Sequence, residues 1–492
     1  MGTLLERLER VARQAPERIA IVDGDHSISY SELALEIRAL GEQLAARCPA
    51  GSTVTLVIEN SIRYVVALYG CWFAGVIAVP TDAHSREHEI EQVVKHAKPA
   101  LIIASTRKRN ALAVAERYGI PVMDAHGTLD KDAQDAAPDA RHHEDALIIY
   151  TSGTSGDPKG VVLTHANLVA NTESIVEYLE LTSEDSNLVV LPFHYSYGNS
   201  VLNTHLFVGG KIVIGPSMIY PQTVTDELRR HCVTGFSGVP TTMSLLVDRT
   251  DFAVDPPPLR YVTQAGGGMS KDLTTRLRDA LAEPTRLFVM YGQTEATARL
   301  TWLPPERLDE KLGSAGKAIP GVTLRIAGKD GQPMGVGQVG EVLALGGNIM
   351  SRYWCNPGAT AKAVVGGWLH TGDLGYLDAD GFLFIQGRAS EMIKTGAYRV
   401  SPKEIEELVA SLDCIDEVAV CGVPDKLLGQ VVAAFLVGEE SPANARKVLS
   451  LCRQSLSLHK VPRYIEWRDR LPKTASGKLQ KHRLAASREL QT

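Results

Sequence analysis

The sequence predicts an α/β protein: a large N-terminal domain of parallel α/β sheets with a small β-rich subdomain, followed by a small α+β C-terminal domain. Three observations carry this expectation. Up to about residue 140, helical stretches (LLERLERVARQ, YSELALEIRALGEQLAARC) alternate with short apolar runs (IAIVD, TVTLVIEN, LIIAS), the pattern of helices crossing between parallel strands. After Pro304 the texture turns to Gly-rich short strands, IPGVTLRIAGKDGQPMGVGQVGEVLALGG. Beyond Arg388 a compact unit follows, with SPKEIEELVASL and NARKVLSLCRQSLS as helices and EVAVCGVP and VVAAFLVG as strands. At 492 residues the chain exceeds one ordinary core. The domain boundary is placed at Ser390, giving 1–389 and 390–492.

Further apolar strands, ALIIYTSG, SNLVVLPF, GKIVIGPS and LRYVTQAGGG, each end in small or turn-forming residues. Ligands of open α/β sheets gather at such carboxyl ends. The apolar run from Tyr64 to Pro80 is interrupted by Gly70 and Gly75, so it reads as a buried helix leading into a strand, not as a membrane span.

Composition excludes several classes. With 44% apolar and 22% charged residues the chain is of globular type. Its 51 basic and 57 acidic residues give a net charge of -6, so nothing points to nucleic acid or an anionic membrane as partner. The first twenty or so residues mix acids and bases without a signal-peptide core, and a cytoplasmic address is expected. The seven cysteines form no CxxC pair, which predicts neither disulfides nor zinc.

The sharpest motif is YTSGTSGDPKG, Tyr150 to Gly160. Small residues let backbone N–H groups crowd a phosphate chain, hydroxyls add donors, and a lysine adds a point charge. Thr151, Ser152, Gly153, Thr154, Ser155, Gly156 and Lys159 are therefore the candidate polyphosphate cradle. It is not a Walker A loop, because Pro158 precedes the lysine and Gly160 follows it. Two decoys are set aside. Gly335 to Gly340 matches GxGxxG but leads into a strand, and His142 and His143 adjoin a charged loop without metal-spaced partners.

Five more motifs follow in order: QAGGGMS (Gln264 to Ser270), YGQTEAT (Tyr291 to Thr297), GWLHTGDLGYLDADG (Gly367 to Gly381), GRASEMIKTGAYRVSPKEIE (Gly387 to Glu406) and LPKTASGKLQKHRL (Leu471 to Leu484). Together with the cradle they resemble the signatures of the adenylate-forming superfamily of acyl-CoA synthetases, peptide-synthetase adenylation domains and luciferases, over essentially the whole chain. The resemblance implies ATP-dependent activation of a carboxylic acid as acyl-adenylate, with pyrophosphate released, then acyl transfer to CoA. The alternative is transfer to a separate acyl carrier protein or to an amine.

By resemblance, Glu295 takes Mg2+, Thr294 the α-phosphate, and Lys478 is the catalytic lysine of adenylation, where a mobile cation offsets charge on carboxylate and phosphate. Tyr291 flanks the adenine, with the backbone of Gly266, Gly267 and Gly268 closing over it. Asp373, read as lying in a tight Gly turn, accepts the ribose hydroxyls, and Arg388 approaches the nucleotide from the other side. Ser390 stands at the hinge of a mobile C-terminal domain. The sequence departs from the family pattern there, since Asp or Lys is common at the hinge and Gly396-Ala397 precedes Tyr398.

The acyl pocket is placed by the same resemblance in Leu191 to Ser200, Gly235 to Thr242 and the residues after Glu295, with Tyr195, Ser196, Tyr197, Gly238 and Val239 as candidates. PFHYSYGN holds no acid to pair an ammonium, and His194 is offset by one from the usual His. An uncharged acyl or aryl acid is expected, handled by a stand-alone ligase that is a monomer or homodimer.

Overall fold

The computed structural model describes residues 2–127, 143–151, 159–388, 391–395, 398–425, 428–473, 479–481 and 483–485. Two sheets organise the first 320 or so residues. In one, the strands Ile19–Asp23, Lys211–Ile214, Ser186–Val189, Gly235–Gly238, Tyr261–Gln264 and Arg286–Tyr291 are parallel neighbours. Antiparallel strands close both margins, His26–Ser29 at one and Thr301–Leu303 with Lys317–Ala318 at the other. In the second sheet, Val122–Asp124, Leu101–Ala104, Thr53–Val57, Ile77–Pro80 and Asp145–Thr151 are parallel, and an antiparallel hairpin adds Lys159–Thr164 and then Arg352–Tyr353.

The apolar run flagged in the sequence is the helix Ile62–Phe73 followed by the strand Ile77–Pro80. Every residue from Tyr64 to Phe73 is buried, as expected of a helix apolar on all faces inside a layered core. It packs on the helix Tyr30–Arg47, where two glycines allow close approach. A Cβ on Gly41 would stand 2.4 Å from the Phe73 ring and one on Gly70 3.3 Å from Leu40. Among the described residues no helix is long and apolar enough to cross a membrane.

The Gly-rich region forms a five-stranded sheet from Val322–Ala327, Gly340–Gly346, Trp368–Leu377, Val364–Val365 and Leu383–Arg388. Gly335 to Gly340 enters the strand Gly340–Gly346, and a Cβ on Gly340 would sit 2.3 Å from the Ala327 carbonyl. Tight cross-strand packing explains Gly340, and a positive φ of +74 explains Gly337, without a dinucleotide.

The C-terminal sheet (Ile393–Thr395, Tyr398–Val400, Ile415–Asp425, Gly429–Gly438, Tyr464–Trp467) has its own core. There the helices Pro402–Val409 and Pro442–Ser455 bury Ile405, Val409, Val448 and Cys452 against Val420 and Leu436. It touches the preceding sheet through Lys403, whose Nζ donates to the Ile385 carbonyl at 2.8 Å.

Candidate active site

The phosphate motif joins two antiparallel strands whose ends pair Thr151 with Lys159. Ser152, Gly153, Thr154, Ser155 and Gly156 lie outside the described residues, as do Ser390, Gly396, Ala397 and Lys478. The base of the hairpin is pinned by a hydrogen bond of 2.8 Å between the Tyr150 hydroxyl and His96 Nδ1. The Lys159 ammonium lies 5.3 Å from the centroid of the Tyr353 ring. The Tyr353 hydroxyl donates to Glu295 Oε1 at 2.8 Å. Burial, and then the Glu295 charge, raise the Tyr353 pKa far above that of a free phenol, so it stays a donor at any working pH. Thus Lys159, Tyr353 and Glu295 form one line from cradle to carboxylate.

Glu295 sits in a turn held on all sides. The strand Arg286–Tyr291 ends at Gly292, where a Cβ would fall 2.1 Å from the Ala298 carbonyl, so only glycine fits. The chain then makes one 3-10 turn, Thr294–Ala296, and Thr297 adopts φ +62, a costly conformation for a β-branched residue. The strain is held by neighbours. Thr297 Oγ1 donates to the Asn348 carbonyl at 2.6 Å, Asn348 Nδ2 donates to the carbonyls of Ala296 (3.1 Å) and Arg299 (2.8 Å), and the Met350 N–H donates to the Glu295 carbonyl at 2.8 Å. Thr294 Oγ1 stands 3.3 Å from Ser196 Oγ.

No group of three or more His, Cys, Asp or Glu that could hold a metal occurs among the described residues. A single carboxylate fits a magnesium ion whose other positions are phosphate oxygens and water, the usual arrangement for this ion.

The nucleotide candidates converge on Asp373. Tyr291 donates to its Oδ2 at 2.6 Å, and Arg388 Nε lies 3.1 Å from its Oδ1. Asp373 is 5% exposed. Burial, then the Asp373 charge, push the Tyr291 pKa well up. Burial opposes the Arg388 charge, but Asp373, Tyr291 and Glu295 outweigh it and its pKa rises.

Two expectations change here. Asp373 is not in a tight turn but within the strand Trp368–Leu377, after Gly372 at φ +72 and before a register shift at Leu374/Gly375. And Arg388 does not face Asp373 across a nucleotide, because the two are direct cross-strand partners. The pleat puts both side chains on one face of the sheet, where their attraction fixes the carboxylate.

Gly266, Gly267 and Gly268 are exposed at the end of the strand Tyr261–Gln264. Gln264 Nε2 steadies them by donating to the Gly267 carbonyl at 2.9 Å. Gly266 has φ +82, and a Cβ there would stand 3.0 Å from Val239. Val239 follows Gly238 and caps the helix Pro240–Arg249, so this expected acyl wall borders the glycine loop. Tyr195 precedes the helix Ser196–Val208, and Tyr197 donates to the Thr263 carbonyl at 2.9 Å. Next to them His194 is half-buried, with its Nε2 buried and without a hydrogen-bond partner among the described residues, and desolvation pushes its pKa down to about 4, so it is neutral at pH 7.

Sequence reading missed Tyr353 and Asn348, and covered Arg299 only as one of the residues after Glu295. Arg352–Tyr353 reaches the site only because it pairs with Val161 and Val162 beside the phosphate hairpin. The one local signal for Asn348 is an amide in a Gly-Gly-Asn turn, which is common in loops.

Comparison with known proteins gives the same frame. The AMP-binding enzyme model matches residues 8–354 and the AMP-binding enzyme C-terminal domain model residues 404–478. The chain is 31% identical to 2-succinylbenzoate–CoA ligase of Bacillus subtilis, over 97% of each chain, and 32% identical to feruloyl-CoA synthase of an Amycolatopsis species, over 96% of each. Solved structures of o-succinylbenzoate CoA synthetase from Bacillus subtilis superpose with TM-scores of 0.87 for the acyl-adenylate complex and 0.84 for the complex with ATP and magnesium ion, each at 30% identity. They cover 97% of this chain and 97% and 98% of theirs. The chain therefore belongs to the AMP-binding enzyme family.

Proposed function

We propose that the chain is an AMP-forming carboxylate ligase that converts a carboxylic acid, ATP and CoA into an acyl-CoA, AMP and pyrophosphate through an acyl-adenylate. The observation that carries this reading is the convergence of Tyr291, Asp373 and Arg388 beside the line Glu295–Tyr353–Lys159. One cluster suits a ribose, since a fixed carboxylate accepts hydroxyl donors. The other suits polyphosphate.

In the first step a substrate carboxylate oxygen bonds to the ATP α-phosphorus as the bond to the bridging oxygen breaks and pyrophosphate departs. Thr294 donates to the α-phosphate, while Lys159 and the residues Thr151 to Gly156 bind the departing oxygens. Magnesium bound at Glu295 would supply charge neutralisation to the phosphates. Tyr353 fixes the orientation of that carboxylate. Lys478 offsets the negative charge shared by the two reacting anions. Support for Lys478 comes from its neighbours, because Lys473 pairs with Glu417 at 2.8 Å and Lys481 with Glu406 at 2.7 Å inside the C-terminal unit. In the second step the CoA sulfur attacks the acyl carbonyl and AMP leaves with the electron pair of the mixed anhydride.

We place the division between the nucleotide-binding core and a C-terminal domain that moves between the two steps at Ser390. The test is pyrophosphate release across a panel of carboxylic acids with ATP and magnesium, with and without CoA. Pyrophosphate accompanied by thioester confirms the ligase. Pyrophosphate indifferent to CoA moves the acceptor to a carrier protein or an amine, and no pyrophosphate from any acid overturns the reading.

A further inference from the structure

Arg299 is 3% exposed, and its guanidinium carbon lies 4.0 Å from the centroid of the Tyr197 ring in the expected acyl wall. Its polar contacts are few and all to neutral groups, from Nε to Met290 Sδ at 3.4 Å, from Nη1 to the Ala298 carbonyl at 3.3 Å, and to the neighbouring Tyr178 hydroxyl. Among the described residues no carboxylate forms an ion pair with it, in a protein whose other buried charges are paired, as Asp373 is with Arg388 and Asp185 with Arg260. A guanidinium carries five N–H donors, and leaving a buried charge without a counter-ion is costly. The backbone around it is anchored to the reacting centre. The Arg299 carbonyl accepts from Asn348, which also holds the Glu295 turn, and Ser196, beside Tyr197, contacts Thr294.

We infer that Arg299 is a specificity-determining residue and that the natural substrate carries a second anionic group, most simply a second carboxylate, at the end away from the reacting one. The inference rests on the adenylation reading and replaces the expectation of an uncharged acyl tail. With the reacting carboxylate at Thr294, the tail runs past Ser196 and Tyr197 and its anionic end reaches the unpaired guanidinium. A carboxylate there accepts two charge-assisted hydrogen bonds. A neutral tail leaves the cation as it stands.

The experiment compares pyrophosphate release for acids matched in size: glutarate against pentanoate, adipate against hexanoate, and isophthalate against benzoate. The wild type is expected to favour at least one diacid over its partner by about tenfold or more in kcat/KM. Arg299→Met should remove that preference, with a loss for the diacids, chiefly in KM, larger than the loss for their matched monoacids, and Arg299→Lys should keep part of it. Wild-type turnover of monoacids equal to or better than that of diacids would sink the inference while leaving adenylation intact. Equal losses for both acids in Arg299→Met would assign the residue to packing against Tyr197 and also overturn it. Silence from every acid would overturn adenylation itself. Thermal stabilisation by AMP checks that the variant is folded, and the wild-type comparison decides even where it is not.

Discussion

The two walls of the site are built on different principles. On the nucleotide wall the carboxylates are held: Asp373 by Tyr291 and Arg388, and Glu295 by Tyr353. On the acyl wall the polar groups are incompletely matched. Among the described residues Arg299 has no carboxylate, and the Nε2 of His194 and the Nδ2 of Asn199 have no hydrogen-bond partner. A nucleotide is always the same ligand, so its wall can be complete before it binds. The acyl wall leaves valences for its own acid to fill.

The strongest way to break the comparison is Lys478→Ala. It should lower pyrophosphate exchange by about 10²–10³-fold while AMP binding is kept. Exchange at the wild-type rate would show that the nucleotide wall suffices without the C-terminal lysine.

The next effect tests the acyl side through pH. His205, on the same helix as Tyr197, is fully buried, with Nδ1 2.8 Å from the Val201 carbonyl and Nε2 2.7 Å from the Tyr261 hydroxyl. Burial pushes its pKa down to about 4, against smaller opposing effects of the Val201 bond and Asp185. An unfolded histidine titrates near about 6.5, so between these values the unfolded chain binds a proton that the folded one refuses. Stability is therefore whole above that window and falls as pH drops through it, by on the order of 2 kcal/mol at pH 5. Urea unfolding at pH 7 and pH 5 should show a smaller loss for His205→Gln than for the wild type. Equal losses would remove His205 as the cause.

Asp373→Asn keeps the shape and removes the charge from both Tyr291 and Arg388. It should cost about tenfold or more in kcat/KM for ATP, with the acid KM little changed. A matching rise in the acid KM would mean the two walls are not separable. Smallest is Tyr353→Phe, where losing one donor to Glu295 should lower turnover by about three- to tenfold and raise the magnesium concentration needed for half-activity. An unaltered magnesium requirement would detach Tyr353 from the site.

Much of the nucleotide wall was legible because its contacts come from strand ends and the turns just beyond them, which are contiguous in sequence. Gly292, where a Cβ would fall 2.1 Å from the Ala298 carbonyl, and Gly266 at φ +82 had to be glycine for local reasons, and local requirements leave motifs. The Tyr353–Glu295 bond left none, because it depends on Arg352–Tyr353 docking beside the phosphate hairpin far from it in sequence. Asp373 was found but set in the wrong surroundings. A Gly-Asp pair reads as a turn, and only the pairing of Trp368–Leu377 with Leu383–Arg388 turns it into a strand residue facing Arg388.

By itself the sequence determined the layered α/β class, through the alternation of helical and apolar periods, and the nucleotide chemistry, through short motifs whose residue types bind phosphate and ribose. Tertiary structure alone decided the partners of the charges. Whether a carboxylate or a guanidinium is matched or left waiting depends on which distant strands and helices the core brings together, and Arg299, unremarkable as one arginine among many in the sequence, has its meaning only from the ring it lies against and the counter-charge it lacks.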